Sequence, residues 1–190
     1  MKRSISDLST AYRYLYPRLT VLVSSGTLKV PSALTVAWSC PLSVNPPLIG
    51  VLITNKRYSH EIIQQHKEFV INIPDSSQIK GSHYVGSISG REEPQKLKNA
   101  GFSIEASTKV DAPRIKECQI NLECKLYDII PTGDHDLFIG EVVFIVINHE
   151  IIDEWAFNLR KFQPIYWRQS RSTEETYHLD LKNINVRKDK

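Results

Sequence analysis

The sequence has little of what several protein classes require. Of its 190 residues only three are cysteines and none forms a Cys-x-x-Cys pair. Cys118 and Cys124 would lie about 20 Å apart on one strand, too far for a disulfide bond. Such cysteine usage indicates reduced thiols in a cytoplasmic protein. The six histidines show no metal-ligand spacing with the cysteines or carboxylates, so we expect no metal site.

Long hydrophobic runs and strong charge are also missing. No segment approaches the roughly 20 apolar residues of a membrane helix, and the first residues, MKRSISDLST, lack the apolar core of a secretory signal. The net charge of +3 is mild, whereas nucleic-acid binding calls for a clustered basic face. We therefore expect no membrane and no nucleic-acid partner.

The pattern that is present is typical of a mainly β protein. No GxGxxG motif and no alternation of strands with long helices occurs, which argues against a Rossmann domain. Apolar residues alternate over Cys118–Ile130 and return over Leu137–Asn148, which predicts a long hairpin around the turn Pro131–His135. Shorter strands are predicted at Leu19–Ser24, Leu28–Val30, Leu34–Ser39, Leu48–Thr54 and Phe69–Ile73. We expect an antiparallel barrel in a single domain, 1–190.

Short helices and loops fill the remaining segments. Helical spacing predicts helices over 6–15, 59–67 and 93–100, the second with Ser59 as its N-cap. The prolines of Cys40–Pro47 predict a loop, and the glycines of residues 75–92 predict a long irregular connection.

One stretch, residues 31–60, suits a ligand with a flat ring at one end and a phosphate at the other. Ala33, Thr35 and Ala37 keep side chains short, so that a planar ring can approach the backbone. Lys56 and Arg57 supply charge-assisted donors directly before a helix start, where free backbone N–H groups also favour an anion. Flavin mononucleotide (FMN) has this shape, but so do several other nucleotides.

The run Pro31–Ser39 with Pro41, Ser43 and Pro46-Pro47 resembles the signature of the flavin reductase-like, FMN-binding split-barrel proteins, in the flavoredoxin branch. Further segments match in the same order: Tyr58-Ser59, Phe69–Asn72, Ser89-Gly90-Arg91, Leu122-Glu123-Cys124 and Gly133-Asp134-His135. The resemblance covers about residues 10–168 and leaves 169–190 as a C-terminal extension. It departs at Gln95-Lys96-Leu97, where the family usually has aspartate, lysine and phenylalanine.

The resemblance implies a split β-barrel that binds FMN, with FAD as the less favoured alternative. The implied cofactor-binding residues are Ala33, Leu34, Thr35, Val36, Ala37, Trp38, Ser39, Lys56, Arg57, Tyr58, Ser59, Asn72, Ser87, Ser89, Gly90, Arg91 and Trp167. His135 would stand at the reactive face as the catalytic residue. Read without the family, Asn72 fits an edge position, His135 a solvated turn, and Trp167 either a cover over the cofactor or a dimer contact.

The implied activity is NAD(P)H-dependent reduction of flavin in a homodimer, with electrons passed to flavin, ferric iron or a partner. The sequence is poor in nucleophile and base sets, which a flavoenzyme does not need, because the flavin carries the electrons. An FMN-binding electron carrier without nicotinamide turnover is the alternative. A small barrel binding single-stranded nucleic acid through residues such as Arg13, Tyr14 and Arg18 is a third reading, recognisable by steep salt dependence.

Overall fold

The computed structural model describes residues 4–153, 156–167 and 176–177. Its strands are β1 (Arg18–Leu19), β2 (Val21–Gly26), β3 (Pro31–Val36), β4 (Ser39–Ser43), β5 (Leu48–Ile53), β6 (Glu68–Ile73), β7 (Ile104–Glu105), β8 (Arg114–Ile115), β9 (Ile120–Pro131), β10 (Asp136–Ile147), β11 (Ile152–Asp153), β12 (Ala156–Phe157), β13 (Tyr166–Trp167) and β14 (Thr176–Tyr177). Its α-helices are α1 (Tyr58–His66), α2 (Ile79–Ser87) and α3 (Lys96–Asn99), and its 3-10 helices are Leu8–Leu15, Ser76–Gln78 and His149–Ile151.

The main sheet has seven antiparallel strands in the order β3-β2-β6-β9-β10-β5-β4. Its two edge strands, β3 and β4, are neighbours in sequence and only Ala37 and Trp38 separate them. The Leu52 N–H on β5 donates to the Trp38 carbonyl at 2.9 Å, which extends the pairing of β4 with β5 by one residue. The two-residue link therefore brings the end of β3 and the start of β4 together, and the prediction of a mainly antiparallel β fold is confirmed.

The core fills the interior of the curled sheet. Phe69 and Phe138 are fully buried there with aliphatic side chains from β2, β5 and β6. Gly140 is required opposite them, because a Cβ at this position would lie 2.4 Å from the Phe69 ring. The predicted long hairpin is confirmed as β9 and β10, which pair from Asp136↔Pro131 to Ile147↔Ile120.

The predicted loop over residues 75–92 is wrong, because α2 and the 3-10 helix Ser76–Gln78 together occupy most of it. Its glycines serve close packing: a Cβ on Gly81 would lie 2.6 Å from the Ala100 carbonyl oxygen, and one on Gly86 would lie 2.9 Å from Thr35. Glycine costs helix stability, yet here it lets α2 approach β3 and the segment after α3.

Other boundaries also differ from expectation. Leu28–Val30 is a turn, closed by the Thr27 N–H donating to the Val30 carbonyl, and no return strand forms before Pro31. The expected loop 40–47 contains most of β4, because Pro41 lies on an edge strand where a missing N–H is tolerated. The helix predicted over 6–15 is present as the 3-10 helix, capped by the Asp7 side chain accepting from the Ser9 N–H.

A buried polar cluster lies between the sheet and β8. The Asn72 side chain is fully buried, and its amide donates to the Leu22 carbonyl and the Ser24 hydroxyl. Its Oδ1 accepts from the Ile115 backbone N–H and from the Asn121 side chain, both at 2.9 Å. Each of these atoms has a partner, so the cluster is a closed network.

Among the described residues, no helix combines the length and the apolar character that crossing a membrane requires.

Candidate functional site

Three adjoining cavities lie along β3 and form what we call the central groove. The first has a volume of about 190 Å³, the second about 220 Å³ and the third about 60 Å³. Arg57 lines all three, Thr35 lines the first and second, and Gly86 lines the second and third. Because they share these lining residues, the three cavities adjoin one another, and together they have the size that small-molecule ligands occupy.

The third cavity is the cationic end of the central groove. It lies at the start of α1, where Lys56, Arg57 and Ser59 line it together with Ser89 and Gly90 from the loop after α2. The first backbone N–H groups of a helix have no partner within the helix and carry partial positive charge. Cations, hydroxyls and a helix start therefore converge here, which favours an anion.

Ser59 has a different role in the helix from the one expected. Arg57 is the N-cap residue of α1, and its side chain does not cap the helix. The Ser59 side chain is buried and its hydroxyl lies 3.1 Å from the Ser32 hydroxyl on β3. Its hydroxyl thus ties α1 to β3 at the cationic end.

Lys96 also lines the third cavity and was not among the predicted site residues. It is 5% exposed, and its ammonium donates to the carbonyls of Val85 and Ile88 at 2.9 and 2.8 Å. Burial, with a smaller contribution from Arg57, lowers the pKa of Lys96 to about 8. An ammonium has three donors, so one remains for a ligand.

The first cavity is bordered by flat rings. The Trp38 and His135 rings lie 4.7 Å apart between centroids at an interplanar angle of 36°. Trp38 donates from Nε1 to the Tyr16 hydroxyl at 2.7 Å, which fixes the indole. His135 Nδ1 lies 2.8 Å from the Asp134 carboxylate, and this hydrogen bond lowers the pKa of Asp134. His135 thus borders the groove from the β9–β10 turn.

The second cavity has another pair of rings and two unsatisfied hydroxyls. His83 and Trp167 both line it, with their rings 6.4 Å apart between centroids and inclined by 23°. Thr20 and Ser82 line it too and are each 2% exposed. Neither hydroxyl has a hydrogen-bond partner within the described part of the chain.

The structure brings most of the predicted site residues to the central groove. Those that line it are Leu34, Thr35, Val36, Ala37, Trp38, Lys56, Arg57, Tyr58, Ser59, Ser87, Ser89, Gly90, His135 and Trp167.

Four predicted site residues do not line the groove. Ala33 packs in the hydrophobic cluster beneath α2 and α3, and Asn72 belongs to the buried polar cluster. Ser39 lies in β4 with its carbonyl accepting from Arg18. Arg91 pairs with Glu61 and lies over the Tyr58 ring.

The residues that the sequence did not reveal come mainly from α2, with one from the link between β1 and β2 and one from α3. They include Thr20, Ser82, His83, Gly86 and Lys96. The α2 residues were hidden because their segment was predicted to be a loop. Lys96 had one signal, the lysine at the corresponding place in the family pattern.

Within residues 4–153, 156–167 and 176–177, no three His, Cys, Asp or Glu side chains lie together as ligands of a metal ion would.

Comparison with known proteins identifies the family. Residues 12–174 match the model of the flavin reductase like domain. The chain belongs to the flavin reductase-like family. A relative of the chain is an uncharacterized protein of Archaeoglobus fulgidus, 40% identical over 140 residues, which are 74% of this chain and 78% of the relative.

Solved structures of the family share the fold. The flavoredoxin of Desulfovibrio vulgaris (Miyazaki F) matches with a TM-score of 0.80 and 26% identity, covering 94% of this chain and 93% of its own. The flavoredoxin of Methanosarcina acetivorans matches with a TM-score of 0.82 and 20% identity, covering 99% and 97%. The resemblance found in the sequence, and with it the flavin reductase-like split-barrel fold, is confirmed.

Proposed function

We propose that this protein binds FMN in the central groove and catalyses NAD(P)H-dependent reduction of flavin, passing the electrons to flavin, ferric iron or a partner protein. The observation that carries the proposal is a single groove with a cationic end and a ring-bordered end in a member of the flavin reductase-like family. This charge and shape complement a molecule with a phosphate at one end and a planar ring at the other.

The cationic end fits the phosphate. Lys56, Arg57 and Lys96 would neutralise its charge, while the Ser59 and Ser89 hydroxyls lie on the same cavity wall. Charge-assisted hydrogen bonds of this kind are about twice as strong as neutral ones.

The first cavity fits the flavin ring. Residues 34–38 line this cavity, where Thr35 and Ala37 have short side chains, and the rings of Trp38 and His135 border it. Bound FMN would supply the redox chemistry, taking a hydride, that is a proton and two electrons, from a reduced nicotinamide that is left as the oxidised pyridinium. The protein's share is to bind, to orient the two rings and to keep water out.

The visible absorption spectrum of the purified protein, before and after addition of FMN and desalting, tests the proposal. We expect a retained flavin spectrum and oxidation of NADH or NADPH well above the rate of free FMN. A protein that neither retains FMN nor accelerates flavin-dependent NAD(P)H oxidation at saturating FMN would contradict it.

A second candidate function is an FMN-binding electron carrier that does not turn over nicotinamide. The similarity to two flavoredoxin structures supports this second candidate. Such a protein would retain FMN and yet oxidise NADH and NADPH no faster than free flavin. The same two assays therefore separate the candidates.

We further propose a homodimer with the groove near the subunit contact. The 3-10 helix Leu8–Leu15 supports this, since Leu8 and Leu15 are 80% and 66% exposed while Tyr12 of the same helix packs edge-on against Trp38. A dimer that covers these leucines would lie beside the ring-bordered end. Light scattering coupled to gel filtration should give twice the mass of the 21.8 kDa chain, and a monomer would exclude the dimer.

A further inference from the structure

A further cavity, larger than each of the three that form the central groove, lies between α3 and the turn before β3. Its volume is about 450 Å³, and it shares no lining residue with the groove. It is lined by residues 29–31, by α3 with the two residues before it, and by Phe102 and Ile104. We call it the α3 cleft. A cavity of this size can hold a small organic molecule.

The buried residues that line the α3 cleft are apolar. Leu97 and Phe102 are each 5% exposed and belong to the hydrophobic cluster beneath α2 and α3. Val30, from the turn before β3, is 63% exposed, and Pro31 and Pro94 also line the cleft. Apolar surface is thus left in contact with water here, and a ligand with a hydrocarbon body would cover it.

The charged side chains among the lining residues are two lysines, Lys29 and Lys98. Both residues are exposed, and neither side chain makes an ion pair or hydrogen bond with another described residue. The nearest acidic residues in sequence have other partners: Glu93 accepts from a tyrosine hydroxyl at 2.9 Å, and Glu105 pairs with Arg114 at 3.3 Å. The cleft therefore complements an anion.

Both residues at which this chain departs from the usual family pattern line the α3 cleft. Gln95 stands where the family usually has aspartate, and Leu97 stands where it usually has phenylalanine. An aspartate would place a negative charge beside the two lysines and repel an anion. A phenylalanine is larger than leucine and would fill part of the cavity. The two departures together make this chain's cleft roomier and more favourable to an anion.

The two sides of the α3 cleft are held by backbone hydrogen bonds. In the turn, the Thr27 N–H donates to the Val30 carbonyl and the Val30 N–H donates to the Thr27 hydroxyl, both at 3.3 Å. After α3, the Phe102 N–H donates to the Leu97 carbonyl at 2.9 Å. Because these walls are formed before a ligand arrives, binding costs less conformational entropy.

We propose that the α3 cleft is a binding site for a small apolar organic carboxylate. Its hydrocarbon part would lie against Leu97, Phe102 and Val30, and its carboxylate would accept charge-assisted hydrogen bonds from Lys29 and Lys98. This site is separate from the central groove and does not depend on the flavin chemistry proposed above.

Isothermal titration calorimetry of the full chain with β-naphthoate tests the proposal, and β-naphthamide is the matched ligand without the charge. The double variant Lys29→Gln, Lys98→Gln removes both cations. The double variant Lys80→Gln, Lys125→Gln is its control, since it makes the same change of charge at exposed lysines that line none of the four cavities. Leu97→Phe fills part of the cleft.

We expect one saturable β-naphthoate site per chain, with affinity about fivefold higher than for β-naphthamide, the effect of two exposed ion pairs. The Lys29, Lys98 double variant should bind β-naphthoate about fivefold more weakly and leave β-naphthamide affinity unchanged. The control pair should match the wild type. Leu97→Phe should weaken both ligands about tenfold, because the larger side chain takes the space of the hydrocarbon part.

Four outcomes would overturn the inference. Absence of saturable binding at millimolar β-naphthoate would leave an adventitious association only. Equal affinities for acid and amide, or equal losses in the two lysine double variants, would remove Lys29 and Lys98 from the site. A loss in Arg57→Ala as large as that in the Lys29, Lys98 variant would place the probe in the central groove. If Leu97→Phe lowers the urea midpoint of unfolding, the lysine variants alone decide.

Discussion

Two sets of buried polar side chains in this protein differ in whether the chain satisfies them. The Asn72 cluster is closed, since both ends of the amide have partners inside the protein. The Thr20 and Ser82 hydroxyls of the second cavity are equally buried but have no described partner. Closed networks stabilise the fold, whereas buried polar groups without a partner cost stability. The following predictions compare polar groups that serve the fold with those that line the central groove.

The largest effect should come from the closed cluster. Asn72→Ala leaves several buried donors and acceptors unsatisfied, and we expect it to lower the free energy of unfolding by about 3 kcal/mol, measured by urea denaturation. Asn55→Ala is the control at an exposed position, expected within about 0.5 kcal/mol of wild type. A similar stability for the two variants would contradict the structural role of the cluster.

Arg57 should matter most for ligand binding, because it lines all three cavities. Arg57→Ala should weaken FMN binding by about 1.5–3 kcal/mol if the guanidinium bonds the phosphate. Arg91→Ala serves as control, since Arg91 pairs with Glu61 outside the groove. Titration followed by flavin fluorescence measures both, and equal losses of affinity would erase the distinction between the two arginines.

His135 should act on rate more than on affinity. His135→Ala should leave FMN affinity nearly unchanged and slow flavin reduction by NAD(P)H about tenfold, equivalent to about 1.4 kcal/mol of transition-state stabilisation. Stopped-flow absorbance measures the rate. Asp134→Asn, which keeps a hydrogen-bond acceptor for His135, should behave as wild type. Loss of flavin from a folded His135→Ala protein would assign the side chain to binding.

A pH dependence is expected at Lys96, whose pKa in the folded protein is about 8 against an ordinary value of 10.5. As the pH rises through about 8, the folded protein loses this charge while the unfolded chain keeps it. The ligand-free protein should therefore gain stability from about pH 8 toward 10.5, while FMN affinity should fall because a cation leaves the phosphate end.

Lys96→Met separates this effect from general pH changes. The variant should show neither the gain in stability nor the Lys96-dependent part of the fall in affinity. Urea denaturation and FMN titration at a series of pH values measure the two. Identical pH profiles for wild type and variant would show that another group is responsible.

The sequence predicted those parts of the fold that depend on local alternation. The β9–β10 hairpin follows from alternating apolar residues, and β5 and β6 follow from short apolar runs. α2 could not be predicted in this way, because Gly81 and Gly86 are residues typical of loops. Their role in close packing against Ala100 and Thr35 is visible only in the folded structure. β4 was not predicted because Pro41 disfavours a strand inside a sheet. Only the order of strands in the folded sheet shows that β4 is an edge strand, where proline is tolerated.

The candidate site was predictable where its residues are contiguous. Residues 34–38 and 56–59 were found because each forms a short run with the required chemistry. Thr20, His83 and Lys96 join them only through folding, and each looks ordinary in its own segment. Asn72 shows the opposite error, because it was predicted to bind the cofactor. A polar residue in an apolar strand can equally make hydrogen bonds inside the core, as Asn72 does.

The junction at Ala37 and Trp38 has a consequence for how the protein opens. The first and last strands of the main sheet meet there, and one wall of the groove is built from the same residues. A ligand bound across this wall would contact the junction between the two strands and stabilise their relative position. Loss of the ligand would remove this contribution to the stability of the folded state. Binding of a ligand at this wall and the stability of the folded sheet are therefore thermodynamically linked.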